Sequence, residues 1–115
     1  MKLGNLDKVL TAGDGKEFSD GSTMRKILGM AAGVLLDGPQ DGSEKYKAGM
    51  ILVKIQKAQK SVELSAEDVT LLKARVGKIF PPLVVVRVED ALEQRKPAEA
   101  RIAQEIDQDE EPAKA

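Results

Sequence analysis

Residues 61–90 read SVELSAEDVTLLKARVGKIFPPLVVVRVED, and two adjacent prolines stand between two strongly apolar segments. Ser65 has the residue type that caps a helix N-terminus, and Asp68 three positions on can return a bond to the cap backbone. Glu67 and Asp68 also suit the positive end of the helix dipole. Val69, Leu72, Val76 and Ile79 then recur at helical spacing, which predicts a helix ending near Ile79. Pro81 biases Phe80 toward extended backbone, and Pro82 suits the first turn of a new helix, where its missing N–H is not needed. The run Leu83-Val84-Val85-Val86 has the residue types of a strand. Val84, Val88, Ala91 and Leu92 nevertheless share one helical face, and Glu89 to Glu93 continue in helical composition. The stretch therefore predicts a helical hairpin with Phe80 at its corner. Four consecutive apolar residues exceed one helical face, so part of the run is expected to be exposed or to meet a partner.

Upstream, Ser22 or Thr23 caps a helix through about Leu36, with Ile27, Leu28, Ala31, Ala32 and Leu35 on one side. Gly29 and Gly33 on that helix permit a close neighbour. Asp37-Gly38-Pro39 stops it. A second helix over about 43 to 60, capped by Ser43, carries Ala48, Ile51, Leu52, Ile55 and Ala58 on its apolar stripe and Lys54, Lys57 and Lys60 on another face. The first 22 residues hold short apolar pieces around Gly13-Asp14-Gly15, a hairpin-turn signal. From Arg95 onward core-sized residues thin out to Ile102 and Ile106 among Ala, Glu, Asp and Gln. Such a segment buries too little surface to offset its ordering entropy, so a disordered acidic tail with at most a helical turn over 98 to 106 is expected.

Composition excludes whole classes of chemistry. With 115 residues, the chain makes at most one domain. It has no Cys and no His, which removes disulfides, thiol catalysis, thiolate metal sites and the commonest general base. Residues 1–94 carry a net charge of +1 and residues 95–115 a net charge of −2. That balance opposes nonspecific nucleic-acid binding, which needs an excess of Lys and Arg. MKLGNLDKVL shows no long apolar run after its first Lys, and no stretch reaches the length of a membrane span, so a cytoplasmic protein is expected.

Four motifs suggest chemistry, and none completes it. Asp37 to Gly42 begins like a calcium-binding loop, but Pro39 and Ala48 stand where oxygen ligands belong. Gly13-Asp14-Gly15-Lys16 lacks the spacing and the hydroxyl of a phosphate loop. Glu63, Glu67 and Asp68 are explained by capping, since catalytic carboxylates need a pocket that separates their pKa values. The hairpin at 65–94 could act as a helix-turn-helix, yet Glu89, Asp90 and Glu93 on its second helix would repel phosphates. No catalytic residue, metal ligand or cofactor is assigned.

The N-terminal KLGNLDKVL with its DGK turn, and the C-terminal VELSAEDVTLLKARVGKIFPPLVVVRVEDALE, together resemble a group of small proteins encoded by tailed bacteriophages and prophages. The resemblance covers residues 1 to 94. It implies a virus-encoded accessory, assembly or host-interaction protein made in the cytoplasm of the bacterial host cell, with incorporation into a virion left open. It transfers no site residues.

The sequence reading is thus a mainly α fold: a small bundle of about four helices (23–94), an N-terminal β-hairpin or arm (1–22) and a disordered acidic tail (95–115). The expected function is a non-enzymatic protein–protein interaction, in an assembly factor or virion accessory. The alternative is a regulator of transcription acting on host RNA polymerase or nucleic acid. Partner-binding candidates are Lys54, Lys57, Lys60, Leu83, Val85, Val86 and Arg87. A protein partner of phage or host origin, or a second copy of the chain, is expected, with neither membrane nor nucleic acid. The acidic tail (Glu105, Asp107, Asp109, Glu110, Glu111) could also lie over the Lys row.

Overall fold

The computed structural model describes residues 1–12, 14–34, 36, 41–96 and 98–105, and these form a mainly α fold. Four helices run in the predicted order: α1 (Met24–Gly33), α2 (Gly42–Lys57), α3 (Ala66–Ile79) and α4 (Pro82–Leu92). A short fifth, α5, spans 98–105. The starts of α1, α2 and α3 follow from their caps. Thr23 accepts from the Lys26 N–H, and Asp41, not Ser43, accepts from the Glu44 N–H. Ser65 and Asp68 form a reciprocal capping box, with Ser65 Oγ accepting from the Asp68 N–H at 3.1 Å and Asp68 Oδ2 accepting from the Ser65 N–H at 3.0 Å. Each box contact satisfies a backbone donor that the first helical turn leaves open.

The double proline is the corner that the sequence implies. Phe80 is extended at φ −108° and ψ 156° and ends α3, while Pro82 opens α4, so the valine run is helical and not a strand. Its faces divide unevenly: Val84 and Val88 are buried, Val85 is half-buried against the core, and Leu83 and Val86 are each 36% exposed.

The core is aliphatic. Leu28, Ala31, Ile51, Ile55, Leu64, Leu72, Val76 and Val88 are almost fully enclosed, with Leu3 and Leu6 of the N-terminal arm packed among them. Leu52 lies over the bare backbones of Gly29 and Gly33; a Cβ on Gly33 would stand 3.1 Å from Leu52 Cδ2. The two glycines thus let α1 and α2 approach closely.

The N-terminal arm does two things. Near Gly15, whose φ is +83°, residues 10–12 pair with residues 16–18 as a small hairpin: the Ala12 N–H donates to Lys16 O at 2.7 Å and the Phe18 N–H to Leu10 O at 2.8 Å. The arm also pairs far along the chain. Strand β1 (Lys2–Leu3) runs antiparallel to β2 (Val62–Glu63), with Lys2 opposite Glu63 and Leu3 opposite Val62. The segment between α2 and α3 is therefore half of a two-stranded sheet, and the pairing delivers Leu3, Val62 and Leu64 to the core.

Helix α4 ends in a Schellman motif without glycine. Gln94 takes φ +54°, its N–H donates to Ala91 O, and the Arg95 N–H donates to Asp90 O at 2.8 Å. The chain turns back here, so the first part of the expected tail is ordered as α5. Arg101 of α5 donates to Asp90 Oδ1 at 2.7 Å, and Glu99 accepts two bonds from Arg87 at 2.6 and 3.0 Å. The expectations for Leu35, for the loop at 37–40 and for the acidic end at 106–115 lie outside the described residues.

Candidate functional site

The arginines are used internally. Arg25 donates through Nη1 to Ile55 O at 2.6 Å and Ala58 O at 2.7 Å, and through Nη2 to Gln59 O at 2.5 Å, while its fork also engages Asp7. It thereby closes the carbonyl end of α2. Arg75, only 3% exposed, donates from Nε to Ala31 O at 2.5 Å and from Nη2 to Val34 O, which closes the carbonyl end of α1. Both place a cation where the helix dipole is negative and the last carbonyls lack donors. Arg87, a partner-binding candidate by sequence, instead holds the arm: Nε donates to Thr11 O at 2.8 Å and Nη2 to Ala12 O at 3.1 Å, alongside its fork to Glu99. Its guanidinium is a structural clamp.

The predicted lysine row is divided. Lys54 Nζ donates to Asp68 Oδ2 at 2.9 Å and Lys47 Nζ to Glu67 Oε1 at 3.2 Å, so both charges are neutralised by α3. Lys57 and Lys60 are exposed and make no ion pair among the described residues. Asp90, read from sequence as an exposed repeller of phosphates, is buried beneath Arg95 and Arg101. Glu93 is taken by Lys73 at 2.6 Å.

Asp68 couples the cap to the lysine. Partial burial pushes its pKa up, but the bonds from Lys54 and from the Ser65 backbone outweigh this, so the net shift is below the ordinary 3.8. A carboxyl depressed on folding stabilises the fold above its unfolded pKa, and that contribution is lost as pH falls through the folded value. The capping box and the half-exposed pair together contribute on the order of 1 kcal/mol. Asp68→Asn is therefore expected to melt several degrees below wild type at neutral pH, with the gap closing on acidification below about pH 4. Thermal melts across that range read it.

What remains for a partner is apolar. On α2, Tyr46, Met50 and Val53 are 69%, 43% and 44% exposed, on the side opposite the buried Ala48, Ile51 and Ile55. At 3.6 residues per turn, Tyr46, Met50, Val53 and Lys57 fall within an arc of about 60°. The flanks of α2 are already occupied, with Lys47 and Lys54 meeting α3 and Leu52 meeting α1. On α1, Met30 and Val34 are also exposed. The stripe is faint in the sequence because lysines alternate with it along the same helix. The signal was the spacing 46, 50, 53: α2 is apolar on two opposite faces, and only one of them can reach a core.

Among the described residues, no helix is long and apolar enough to cross a membrane, and no group of three or more acidic side chains could hold a metal ion. Comparison with protein-family models, curated proteins and solved structures gave no match.

Proposed function

We propose that this chain is a non-enzymatic interaction protein that docks a protein partner on the outer face of α2. The carrying observation is the stripe Tyr46, Met50 and Val53, exposed on a helix whose opposite face already supplies the core. A tyrosine and a methionine side by side suit a docking surface, since both residue types are enriched at interface cores. Lys57 and Lys60 form its basic end, and Leu83 and Val86 provide a smaller apolar patch on α4. The phage resemblance supports an assembly or accessory role in the host cytoplasm. The internal use of Arg25, Arg75 and Arg87 argues against nucleic-acid readout, for which those guanidinium groups would be the best donors.

The test is affinity capture from the source cell with three baits: wild type, Val53→Glu and Leu83→Glu. Burying an unpaired carboxylate in an apolar contact is costly, so Val53→Glu is expected to lose at least about tenfold of any specific partner. Leu83→Glu is expected to retain it. A partner held equally by all three baits, or lost only with Leu83→Glu, would remove α2 as the docking face.

A further inference from the structure

We infer that the occupant of this face is a second copy of the same chain, packed with its α2 antiparallel to the first about a two-fold axis beside Met50. The inference rests on the docking reading above and names its partner.

Self-complementarity is the first argument. In a two-fold interface, a residue some positions before the axis meets one the same number after it on the other copy. With Met50 on the axis, Tyr46 lies against Val53 and the stem of Lys54 of the other copy, and each Met50 meets its twin. The apolar stripe thus covers itself, and Lys57 of one copy arrives at Ser43 of the other.

Charge is the second. The N-terminal end of α2 carries Asp41 and Glu44, with Glu67 of α3 lining the same groove. The C-terminal end carries Lys57 and Lys60, unpaired among the described residues. Antiparallel packing sets each basic end on the acidic end of the other copy and opposes the helix dipoles, whereas parallel packing would bring like charges together. Lys45 and Lys47 are the exceptions at the acidic end, but Lys45 lies on the flank toward α1, beside Val34, Gly49 and Leu52, and Lys47 is held by Glu67 at 3.2 Å. Glu44 also sits 3.9 Å from Arg75 Nη1 and Glu67 is paired with Lys47, so Asp41 is the freest acid there among the described residues.

Size sets the strength. Helix α2 has 16 residues and is about 24 Å long, and one face of such a rod falls short of the roughly 800 Å² per partner of a standard interface. The dimer is therefore of the weak, concentration-dependent class.

The absence of cysteine from the chain makes the test clean. By sedimentation, wild type is expected to be monomeric at about 1 µM and largely dimeric at about 1 mM, while Met50→Glu stays monomeric with an unchanged circular dichroism spectrum. On mild oxidation, Met50→Cys, whose thiol lies on the axis, is expected to form a covalent dimer at least about tenfold faster than Leu83→Cys. A dimer that survives Met50→Glu would assign association to another face and overturn the inference. A wild-type monomer in which the thiol of Met50→Cys alkylates freely would also overturn it, yet leave the face open to a different protein. A monomer in which that thiol is protected would mean that the chain covers its own stripe, and would overturn both readings.

Discussion

Leu72→Ala is expected to destabilise the fold by about 3–5 kcal/mol, the range for emptying a fully enclosed leucine site. Leu72 has no measurable exposure and sits at the middle of α3, in the same core cluster as Leu28, Val76 and Val88. The removed atoms lose their transfer free energy, and the neighbours on several elements cannot collapse together into the space. Small domains have only about 5–15 kcal/mol in total, so the variant should melt lower by about 15–25 °C, with a corresponding fall in the urea midpoint. A loss below about 1 kcal/mol would mean that α3 does not form the centre of the core.

The second large effect is at Arg75. Arg75→Met keeps an unbranched side chain of similar reach but removes the donors to Ala31 O and Val34 O. Hydrogen bonds from a charged donor contribute about 1.5–3 kcal/mol each, and buried methionine recovers part of the loss, so a net cost of about 2–4 kcal/mol is expected. Arg75→Lys is the sharper variant. A lysine keeps the charge but cannot present a fork to two carbonyls, and it leaves a compact, strongly hydrated cation in a site that is 3% exposed. Among the described residues, Nη1 of Arg75 lacks a hydrogen-bond acceptor and its nearest carboxylate is Glu44 at 3.9 Å, so these groups offer an ammonium little compensation. The expected order of stability is wild type, then Met, then Lys. A lysine variant as stable as wild type would show that charge alone, and not the capping of α1, explains the residue.

These two positions also show what the sequence could disclose. Leu72 belongs to the run Val69, Leu72, Val76 and Ile79, whose period predicts a helix, and the prolines and the Ser65–Asp68 box mark that helix's ends. Arg75 occupies the same face, one position before Val76, yet its residue type argues for solvent. Only the open carbonyl end of α1, distant in sequence, explains its burial. Asp90 was hidden in the same way, because its cover comes from Arg101 eleven positions later. The β1–β2 pairing was equally out of reach: two-residue strands carry no period, and Leu3 and Val62 are brought together only by the folded bundle. Gln94 takes a left-handed turn that usually announces itself as glycine, so the end of α4 and the return into α5 left no local mark.

The candidate surface was partly legible. An exposed remainder of the Leu83–Val86 run follows from counting apolar residues against one helical face, and Leu83 and Val86 are that remainder. Arg87 lies between Val86 and Val88 but turns to the arm, where backbone carbonyls at Thr11 and Ala12 bind it. The lysine row lost Lys54 to Asp68 on α3, which helical spacing within α2 could not foretell.

The most direct measurement is to follow, in one titration series, the melting temperature and the associated mass of wild type and Met50→Glu. If the stripe on α2 serves association and not folding, the two proteins melt within about 2 °C of each other when dilute, and only wild type gains mass, with its own kind or with a captured partner, as concentration rises. A Met50→Glu protein that melts far below wild type when dilute, or that associates as well as wild type does, would contradict the account.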